Sequence, residues 1–420
     1  MNKTGFSRAD ILIPRQDLLD KWCVVACDQY TSEPAYWEEV AKNTEGAPSA
    51  FHITFPEIYL KDDDADERID SINRTMKKYL KKNIFTEYKK SFIYTERTLD
   101  SGAVRAGLIG AIDLEEYDFS KGSETLVRAT EGTVVERIPP RVKIRKNAPI
   151  ESPHIMVLID DSEGSVIEPL SDKKDKLKKV YSAELMLKGG KVEGWLVDDK
   201  EAARIESALL ALADREAFEK KYGVKDKGVL LFAMGDGNHS LATAKQCYEN
   251  LKEEIGADAA SRHPARFALV EVVNLHSKAL NFEPIHRVLF GVDTDDFVLK
   301  MTEALGLEDG EGEQSFTYII NEKPRTVRIT KPTSKLCVGS LQNFLDEYTS
   351  SRGGEVDYIH GKTVVRLHAK KPGNVGFILP EVHKRDLFPT VISDGALPRK
   401  TFSMGEAWDK RYYLECRRIK

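Results

Sequence analysis

Five consecutive residues, Asp236 to Ser240, bring a carboxylate, a glycine, an amide, an imidazole and a hydroxyl together in the chain. These are the polar groups that phosphoryl chemistry uses. The residues before them, 229–234, form an unbroken apolar run, which is typical of a strand buried on both faces. From Leu241 onward the Ala, Thr and Lys content and the apolar spacing predict a helix. Residues 235–240 are therefore a predicted turn between a strand and a helix.

A turn that leads from a buried strand onto a helix presents several backbone N–H groups and the positive end of the helix dipole. That arrangement suits phosphate and other anions. We therefore predict anion contacts from four residues of the turn, Gly235, Gly237, Asn238 and Ser240. A turn without a ligand is the alternative, because most strand-turn-helix units bind nothing and the turn fits neither GxxxxGK[ST] nor GxGxxG.

A second unusual segment, residues 125–145, mixes arginines and glutamates with a glycine and a pair of prolines. Arginine binds phosphate through paired hydrogen bonds and stays charged, and a carboxylate among arginines is a candidate base or metal ligand. The residues of interest are Arg128, Glu131, Thr133, Glu136, Arg137, Arg141 and Arg145. A salt-bridged surface loop explains the same composition equally well.

Further candidates for binding a substrate are scattered along the chain. Asp28 follows a predicted strand, where it either contacts a ligand or a metal or caps the next helix. His286 and Arg287 stand beside another predicted strand and can hold a second phosphate or a substrate carboxylate, although a lone histidine is usually structural. Lys400 belongs to a segment, 397–407, whose Arg, Lys and Ser residues near a glycine suit an anion.

The composition describes a globular chain and argues against several classes of protein. Its 420 residues are 41% hydrophobic and 31% charged, which allows one large or two to three ordinary domains. The formal net charge of −5 gives no electrostatic reason to expect nucleic acid or a membrane surface as a partner. No apolar run approaches about 18 residues and no signal peptide is recognisable, so we expect a cytoplasmic protein. Five scattered cysteines without zinc spacing indicate reduced thiols.

The order of the predicted elements indicates a mixed α/β (α+β) fold. We expect a main body, 1–291, that carries the 235–240 turn. A smaller polar module, 292–350, follows, and 351–420 then returns to the main body with short strands. Within the main body, 62–90 has apolar residues at helical spacing among many charges, which predicts an amphipathic surface helix.

Several segments together resemble a prokaryotic family catalogued as a domain of unknown function, number ten-fifteen. The turn and its helix, DGNHSLATAK, look like that family's DGxHR-type box. Four further segments also look like the family: YTSEP, RATEGTVVERIPPRVKIR, PHIMVLIDD and LPRKTFSMGEA. The resemblance covers nearly the whole chain, and the order and number of the short boxes make it specific.

Through this box the family is similar to the ParB/sulfiredoxin-like superfamily, whose members include free-serine kinases. The resemblance implies a ParB/sulfiredoxin-like core with large insertions and nucleotide phosphates at a helix N-terminus. It also implies a glutamate that acts on the substrate hydroxyl, matched here by Glu131, and a downstream arginine, matched by Arg141. Two positions depart from the pattern, because Thr130 stands where the family's first histidine would be and Ser240 replaces the arginine after His239.

The favoured hypothesis is an Mg²⁺-dependent kinase that transfers a phosphoryl group from ATP or ADP to a small hydroxylated metabolite, with free L-serine the best candidate. Asp236 then contacts Mg²⁺ or orients the substrate, and His239 donates a hydrogen bond to the transferring group. Glu131 accepts the hydroxyl proton, and Arg141 neutralises developing charge. The alternative is a nucleotide-binding regulator without transfer. A metal-dependent hydrolase using Asp236 and His239 is a third hypothesis, but no HxH or HExxH motif accompanies them.

Overall fold

The computed structural model describes residues 4–132 and 138–420. Three residues of the arginine-rich segment, Thr133, Glu136 and Arg137, lie outside the described residues, so their predicted roles stay predictions. The rest of the chain has a mixed α/β architecture, which confirms the predicted fold class.

The chain is divided into two compact units. The first unit is Met1–Leu280 together with Glu406–Lys420, and the second is Asn281–Gly405. The predicted polar module at 292–350 is one part of the second unit, which also takes in the short strands that follow it up to Gly405. Only the last stretch of the chain belongs again to the first unit.

A ten-stranded mixed sheet runs through the described part of the first unit. In spatial order its strands are Lys178–Leu185, Gly190–Leu196, Ile93–Thr98, Val104–Asp113, Phe267–Asn274, Met156–Ile159, Phe232–Asp236, Val127–Arg128 and Tyr117–Asp118, and Phe6–Ser7 pairs with Val104–Asp113. Phe232–Asp236 is antiparallel to Met156–Ile159 and parallel to Val127–Arg128. Three two-stranded sheets join Ala9–Pro14 to Phe85–Ser91, Val24–Val25 to Tyr412–Tyr413, and Ile150–Glu151 to Arg417–Arg418.

Both faces of the large sheet are buried, which explains its continuous apolar runs. Successive residues of Phe267–Asn274 point to opposite faces. Leu269 packs into one hydrophobic cluster and Val270 packs into another. The first cluster also contains side chains of the helix Ala65–Lys81, and the second contains those of Asn238–Ile255. Phe267–Asn274 is therefore held between two packed layers, and Phe232 and Met234 of the strand before the 238–255 helix pack into the second cluster.

Helices make up much of the rest of the first unit. They are Leu19–Trp22, Pro34–Asn43, Ala65–Lys81, Ile138–Lys146, Glu168–Ser171, Asp199–Leu212, Arg215–Tyr222, Asn238–Ile255 and Ala257–Ser261. The amphipathic helix predicted within 62–90 is confirmed over 65–81, with Ile72 and Met76 among its buried residues. The prediction is wrong for Phe85–Ser91, which forms a strand, because Asn83 adopts a positive φ of 49° and ends the helical path.

A buried group of charged residues fastens the last segment of the chain to the large sheet. Arg411 Nε donates to Glu271 Oε2 at 2.8 Å, and Arg411 Nη2 donates to Glu415 Oε2 at 2.5 Å. Tyr181 donates its hydroxyl proton to Glu415 Oε1 at 2.5 Å. All four side chains are almost fully buried. Gly107 leaves room for this group, since a Cβ there would lie 2.5 Å from Glu271 Oε1.

The second unit is built around an antiparallel sheet of six described strands. In spatial order they are Leu307–Asp309, Lys323–Ile329, Ser315–Ile320, Val375–Ile378, His286–Phe290 and Glu355–Ile359, and a separate pair joins Phe282–Pro284 to Phe402–Met404. The helices are Thr294–Leu305, Cys337–Arg352, Lys362–Ala369 and Leu387–Asp394. Leu289 packs into the main cluster of this unit, while its neighbour Val288 packs on the other face.

Short strands are predicted within 351–420, including one at 364–367, but residues 364–367 lie within the helix Lys362–Ala369. Val365 and Ala369 are its buried residues, and their spacing of four places both on one face of a helix. In a segment this short, the apolar pattern of the sequence does not distinguish a helix from a strand.

All five cysteines lie within the described part of the chain. None of the five cysteines forms a disulfide, and none is exposed. Burial raises the pKa of Cys337 and of Cys416 to about 12, so both stay protonated thiols at neutral pH. Among the described residues, no helix combines the length and the apolar character that crossing a membrane requires.

Candidate functional site

The predicted turn at 235–240 is shorter in the structure than the sequence suggests. The strand Phe232–Asp236 continues through the first two residues of the turn, and the helix already begins at Asn238. Only Gly237 lies between them, in a left-handed conformation with φ 79° and ψ 27°. Its N–H donates to Asp236 Oδ1 at 2.9 Å. We call residues 235–240 the junction.

The junction presents a helix N-terminus that no side chain of the helix caps. The first intrahelical hydrogen bond joins Leu241 N–H to the carbonyl of Gly237 at 3.0 Å. The three amides before that bond, at 238–240, belong to the end of the helix where the dipole is positive. Asn238 Oδ1 is also buried without a hydrogen-bond partner among the described residues. The amides of the junction can therefore bind an anion, and Asn238 Oδ1 can accept a hydrogen bond from one further donor.

Gly237→Ala is expected to abolish phosphate binding at the junction and to lower stability. A Cβ at this position would lie 3.0 Å from Ile155 Cα, and the left-handed conformation costs an L-residue about 1–2 kcal/mol. Gly223→Ala is the matched control, because Gly223 has φ 65° and no atom within 4 Å of a Cβ. Both variants should melt earlier, but only Gly237→Ala should lose ADP binding in calorimetry. Equal ADP affinity in the two variants would contradict the prediction.

A histidine just before a neighbouring strand contacts the junction. His154 Nε2 lies 3.3 Å from Ser240 Oγ, and His154 Nδ1 lies 2.9 Å from the hydroxyl of Tyr413. That hydroxyl accepts a hydrogen bond from Cys27 N–H at 3.1 Å, and burial raises the Tyr413 pKa well above its ordinary value. Because Nε2 faces both Ser240 Oγ and the Asp28 carboxylate, we infer that Nε2 carries a ring proton. Ser240 then accepts from His154 and has its own proton available for an anion.

Two carboxylates and one ammonium complete the polar surroundings. Lys410 Nζ lies 3.6 Å from Asp236 Oδ2, and both side chains are mostly buried. Asp28 Oδ2 lies 3.8 Å from His154 Nε2. Burial alone would raise the pKa of Asp28, but His154, the amide of Gln29 and Lys410 outweigh burial and lower the pKa. Asp28, a predicted substrate ligand, is therefore ionised at neutral pH.

The segment that carries Glu131 runs beside the strand that leads into the junction. Val127–Arg128 is parallel to Phe232–Asp236, and the Thr130 hydroxyl donates to the carbonyl of Met234 at 2.8 Å. Because parallel neighbours end at the same edge of a sheet, half-buried Glu131 follows its strand toward the edge where the junction begins. Thr130 is almost fully buried, so its hydroxyl has a structural use.

Arg141 lies on the helix Ile138–Lys146, and its guanidinium forms a salt bridge with Glu57. The two side chains are 14% and 18% exposed. Glu57 is positioned in turn by its own N–H, which donates to the carbonyl of Cys27 at 2.8 Å. An anion that binds Arg141 must therefore replace or share a carboxylate partner.

Three predicted substrate ligands, His286, Arg287 and Lys400, belong to the second unit. Arg287 is fully buried, and its guanidinium donates to the carbonyls of Ile285 and Arg399 and to the side chain of Gln342. These contacts hold backbone together and give Arg287 a structural use. Lys400 is exposed, with a positive φ of 56°. A ligand role for the three residues stays a prediction.

His286 is expected to titrate well below the ordinary range of a histidine. Its Nδ1 accepts from Leu379 N–H at 3.2 Å, and burial, with Lys362 and Arg287, lowers its pKa to about 4. An unfolded histidine has a pKa of about 6.5, so the unfolded chain binds the proton first. The contribution of His286 to stability is complete above pH ~6.5 and is lost as the pH falls toward ~4. Imidazole NMR, assigned through His286→Gln, should show this low midpoint, and a midpoint near 6.5 would contradict it.

Mg²⁺ fits the junction only as an ion that arrives with phosphates. The described residues contain no group of three or more His, Cys, Asp or Glu side chains placed to hold a metal ion. Mg²⁺ bound to a nucleotide takes most of its ligands from phosphate and water and needs one or two protein carboxylates. Asp236 and Asp28 can supply them. The protein cage that a hydrolytic zinc site requires is not found among these residues.

Sequence reasoning missed three residues of this site, His154, Lys410 and Tyr413. His154 precedes an apolar run, and only the antiparallel pairing of Met156–Ile159 with Phe232–Asp236 brings the start of one strand beside the end of the other. Lys410 and Tyr413 come from the last segment of the chain, where no local signal indicates a long-range contact.

Comparison with solved structures gives similarities at low identity. A free serine kinase in complex with AMP is 12% identical, with a TM-score of 0.37 over 72% of this chain and 90% of that chain. A conserved hypothetical protein from Pyrococcus furiosus is 12% identical, with a TM-score of 0.35 over 72% and 92% of the two chains. SbnI with a C-terminal truncation, from Staphylococcus aureus, is 9% identical, with a TM-score of 0.37 over 72% and 84%. Such scores carry no argument about the activity of this chain.

The family comparison is more decisive. No curated protein matches the chain. A family model matches residues 9–348, which is well over half of the chain and includes the junction and the arginine-rich segment. This match confirms the resemblance seen in the sequence motifs. The chain belongs to the family described as Protein of unknown function (DUF1015).

Proposed function

We propose that this chain is a nucleotide-dependent phosphotransferase that acts on a small hydroxylated metabolite, with free L-serine as the expected acceptor. The observation that carries the proposal is the junction. A single left-handed glycine there delivers a buried strand onto an uncapped helix N-terminus. A serine hydroxyl, a histidine and a lysine surround the same N-terminus.

Phosphate binding follows from the donors at the junction. The amides of residues 238–240 and the positive helix dipole favour an anion of two or more charges. The Ser240 hydroxyl adds one more donor. Because its oxygen accepts a hydrogen bond from His154, its own proton is available for the phosphate. A nucleotide diphosphate or triphosphate supplies oxygens for several such donors at once, so ATP or ADP is the expected phosphoryl donor.

The charges at the site favour Mg²⁺ with the nucleotide. Asp28 and Asp236 repel phosphate, and Lys410 compensates only one of these two charges. Mg²⁺ bound by Asp236 would offset the remaining repulsion and neutralise charge on the phosphates. The same carboxylates are then available to orient a positively charged amino group, which free serine carries.

In the transfer step the acceptor hydroxyl oxygen bonds to the terminal phosphorus while the bond from that phosphorus to the bridging oxygen breaks. The hydroxyl proton passes to Glu131, and the electron pair of the broken bond leaves with the nucleotide. His239 donates a hydrogen bond to the transferring group. Arg141 neutralises charge after its salt bridge with Glu57 is exchanged for phosphate.

A nucleotide-binding regulator without transfer is the second candidate. The position where serine kinases of the resembling superfamily carry a histidine is Thr130, whose hydroxyl is buried and donates to the carbonyl of Met234. A chain without that histidine retains the phosphate-binding junction, so it can bind a nucleotide without a complete set of catalytic groups.

Time-resolved phosphorus NMR separates the two candidates. The protein is incubated with Mg²⁺, ATP or ADP, and either L-serine or L-alanine, which lacks the hydroxyl. Transfer produces a new phosphomonoester resonance with L-serine only, as the terminal phosphate of the nucleotide declines. Shifted nucleotide resonances without any new phosphomonoester, across serine and a panel of hydroxylated metabolites, would favour the regulator and reject the phosphotransferase.

A further inference from the structure

A cleft in the first unit has no part in the proposed function. It has a volume of about 480 Å³ and lies between the helix Ala65–Lys81 and the chain at residues 46–59. Sites for small molecules typically measure about 300–1,000 Å³. The cleft therefore has the size of a metabolite site, and no residue of the junction lines it.

The floor of the cleft is apolar and rigid. Phe55, Ile72 and Tyr79 line it and are each at most 6% exposed. The Tyr79 hydroxyl accepts from Ser49 N–H at 3.1 Å and lies 3.1 Å from His52 Nδ1, which fixes the ring in place. Burial lowers the pKa of His52, so its imidazole is neutral at pH 7 and adds a flat ring without a charge.

The rim of the cleft is basic. Arg68, Lys78 and Lys82 line it, and none of the described aspartates or glutamates does, in a chain whose net charge is −5. Arg68 is held over the ring of Tyr59 at 4.5 Å by a salt bridge to Asp64. Asp62 also lies 3.8 Å from Arg68, so the positive local potential at this concave surface comes from Lys78 and Lys82.

Lys78 and Lys82 are the cations of the rim that remain available. Both are exposed, and neither forms a salt bridge with any carboxylate in the described part of the chain. Solvated lysines are common on helix surfaces, and Lys77 and Lys81 of the same helix are examples. The difference is that Lys78 and Lys82 border a cavity with an aromatic floor.

We propose that this cleft binds a small organic anion with a flat ring. The ring lies on the floor against Phe55 and Tyr79, and the anionic group is held at the rim by Lys78 and Lys82. Thr75 also lines the cleft and stands in the sequence between Ile72 of the floor and Lys78 of the rim. Its hydroxyl can donate a hydrogen bond to the same anionic group. This inference goes beyond the proposed function and does not depend on it.

The test uses two fluorescent probes that differ by one charge. 1-Anilinonaphthalene-8-sulfonate has a ring system and a sulfonate, and N-phenyl-1-naphthylamine has the ring system alone. The substitutions that are compared lie on the helix beside the cleft and not at the junction, so the outcome is independent of whether the junction binds a nucleotide. The double variant Lys78→Gln/Lys82→Gln is compared with Lys77→Gln/Lys81→Gln, which changes the net charge equally on the same helix.

The sulfonate probe should bind the unaltered protein at one saturable site. Lys78→Gln/Lys82→Gln should weaken it about tenfold, as expected for two partly exposed charged contacts, while the control pair changes its affinity little. The neutral probe should not distinguish the two double variants. Thr75→Trp fills the cleft and should remove binding of both probes. Its far-ultraviolet circular dichroism spectrum should stay unchanged, which shows that the variant is folded. Equal sulfonate affinity in the two double variants, or full binding to folded Thr75→Trp, would overturn the proposal.

Discussion

Glu131→Gln is expected to lower the rate of phosphoryl transfer by about 100-fold or more while the melting temperature stays about unchanged. Glutamine has the shape of glutamate but cannot accept the proton of the attacking hydroxyl, and a positioned general base contributes roughly 10²–10⁴ in rate. Nucleotide affinity should change little, because Glu131 acts on the acceptor. The measurement is the initial rate of phosphomonoester formation at saturating nucleotide.

Two comparisons sharpen this prediction. Glu254→Gln removes one negative charge from an exposed position at the far end of the 238–255 helix and should retain full activity. His239→Ala removes a donor to the transferring group and should cost about 100-fold as well. Full activity in both Glu131→Gln and His239→Ala would end the assignment of these two residues.

Arg411→Met is expected to destabilise the first unit by about 3–5 kcal/mol. The substitution keeps much of the volume but leaves the carboxylates of Glu271 and Glu415 buried without the cation that joins them. Removing one partner of a buried ion pair costs this much because the remaining charge is uncompensated. Glu415 loses its salt bridge, and Glu271 keeps only Arg105 at 3.7 Å. The carbonyl of Pro153 also loses the guanidinium as a donor.

Urea unfolding followed by tryptophan fluorescence measures this effect selectively. All four tryptophans, Trp22, Trp37, Trp195 and Trp408, belong to the first unit. Asp258→Asn is the control, because it breaks a 2.7 Å pair with Arg262 whose side chains are 85% and 70% exposed, and exposed pairs contribute little. If Arg411→Met lowers the free energy of unfolding no more than the control does, then solvent or rearrangement compensates the buried carboxylates, which would contradict the prediction.

Local patterns predicted the order of elements at the junction, although the strand covers 232–236 and not the predicted 229–234. The apolar run and the small polar residues after it indicate a strand, a turn and a helix, and the structure has these three in that order. The length of the turn was overestimated because Gly237 changes the chain direction alone, through a positive φ. Sequence alone does not show which of two glycines in a turn adopts that conformation.

The residues that contact the junction from elsewhere in the chain could not be predicted from local sequence patterns. His154 is brought in by antiparallel strand pairing, and Lys410 by a segment that pairs with Val24–Val25 across most of the chain. Contacts of that separation depend on the packing of the whole unit and not on periodicity. Arg287, whose charge suggests a ligand in the sequence, is buried and donates to backbone carbonyls, and its ligand role stays a prediction.

The most direct test of the account is a titration of the backbone amides of Asn238, His239 and Ser240 by ¹⁵N NMR. With Mg²⁺ present, ADP should change the chemical shifts of these three amides more than those of other residues of the first unit. Adenosine should leave these shifts unchanged, because the phosphates and not the base bind the helix N-terminus. Amides that do not move at saturating ADP, or that move equally with adenosine, would contradict the central claim.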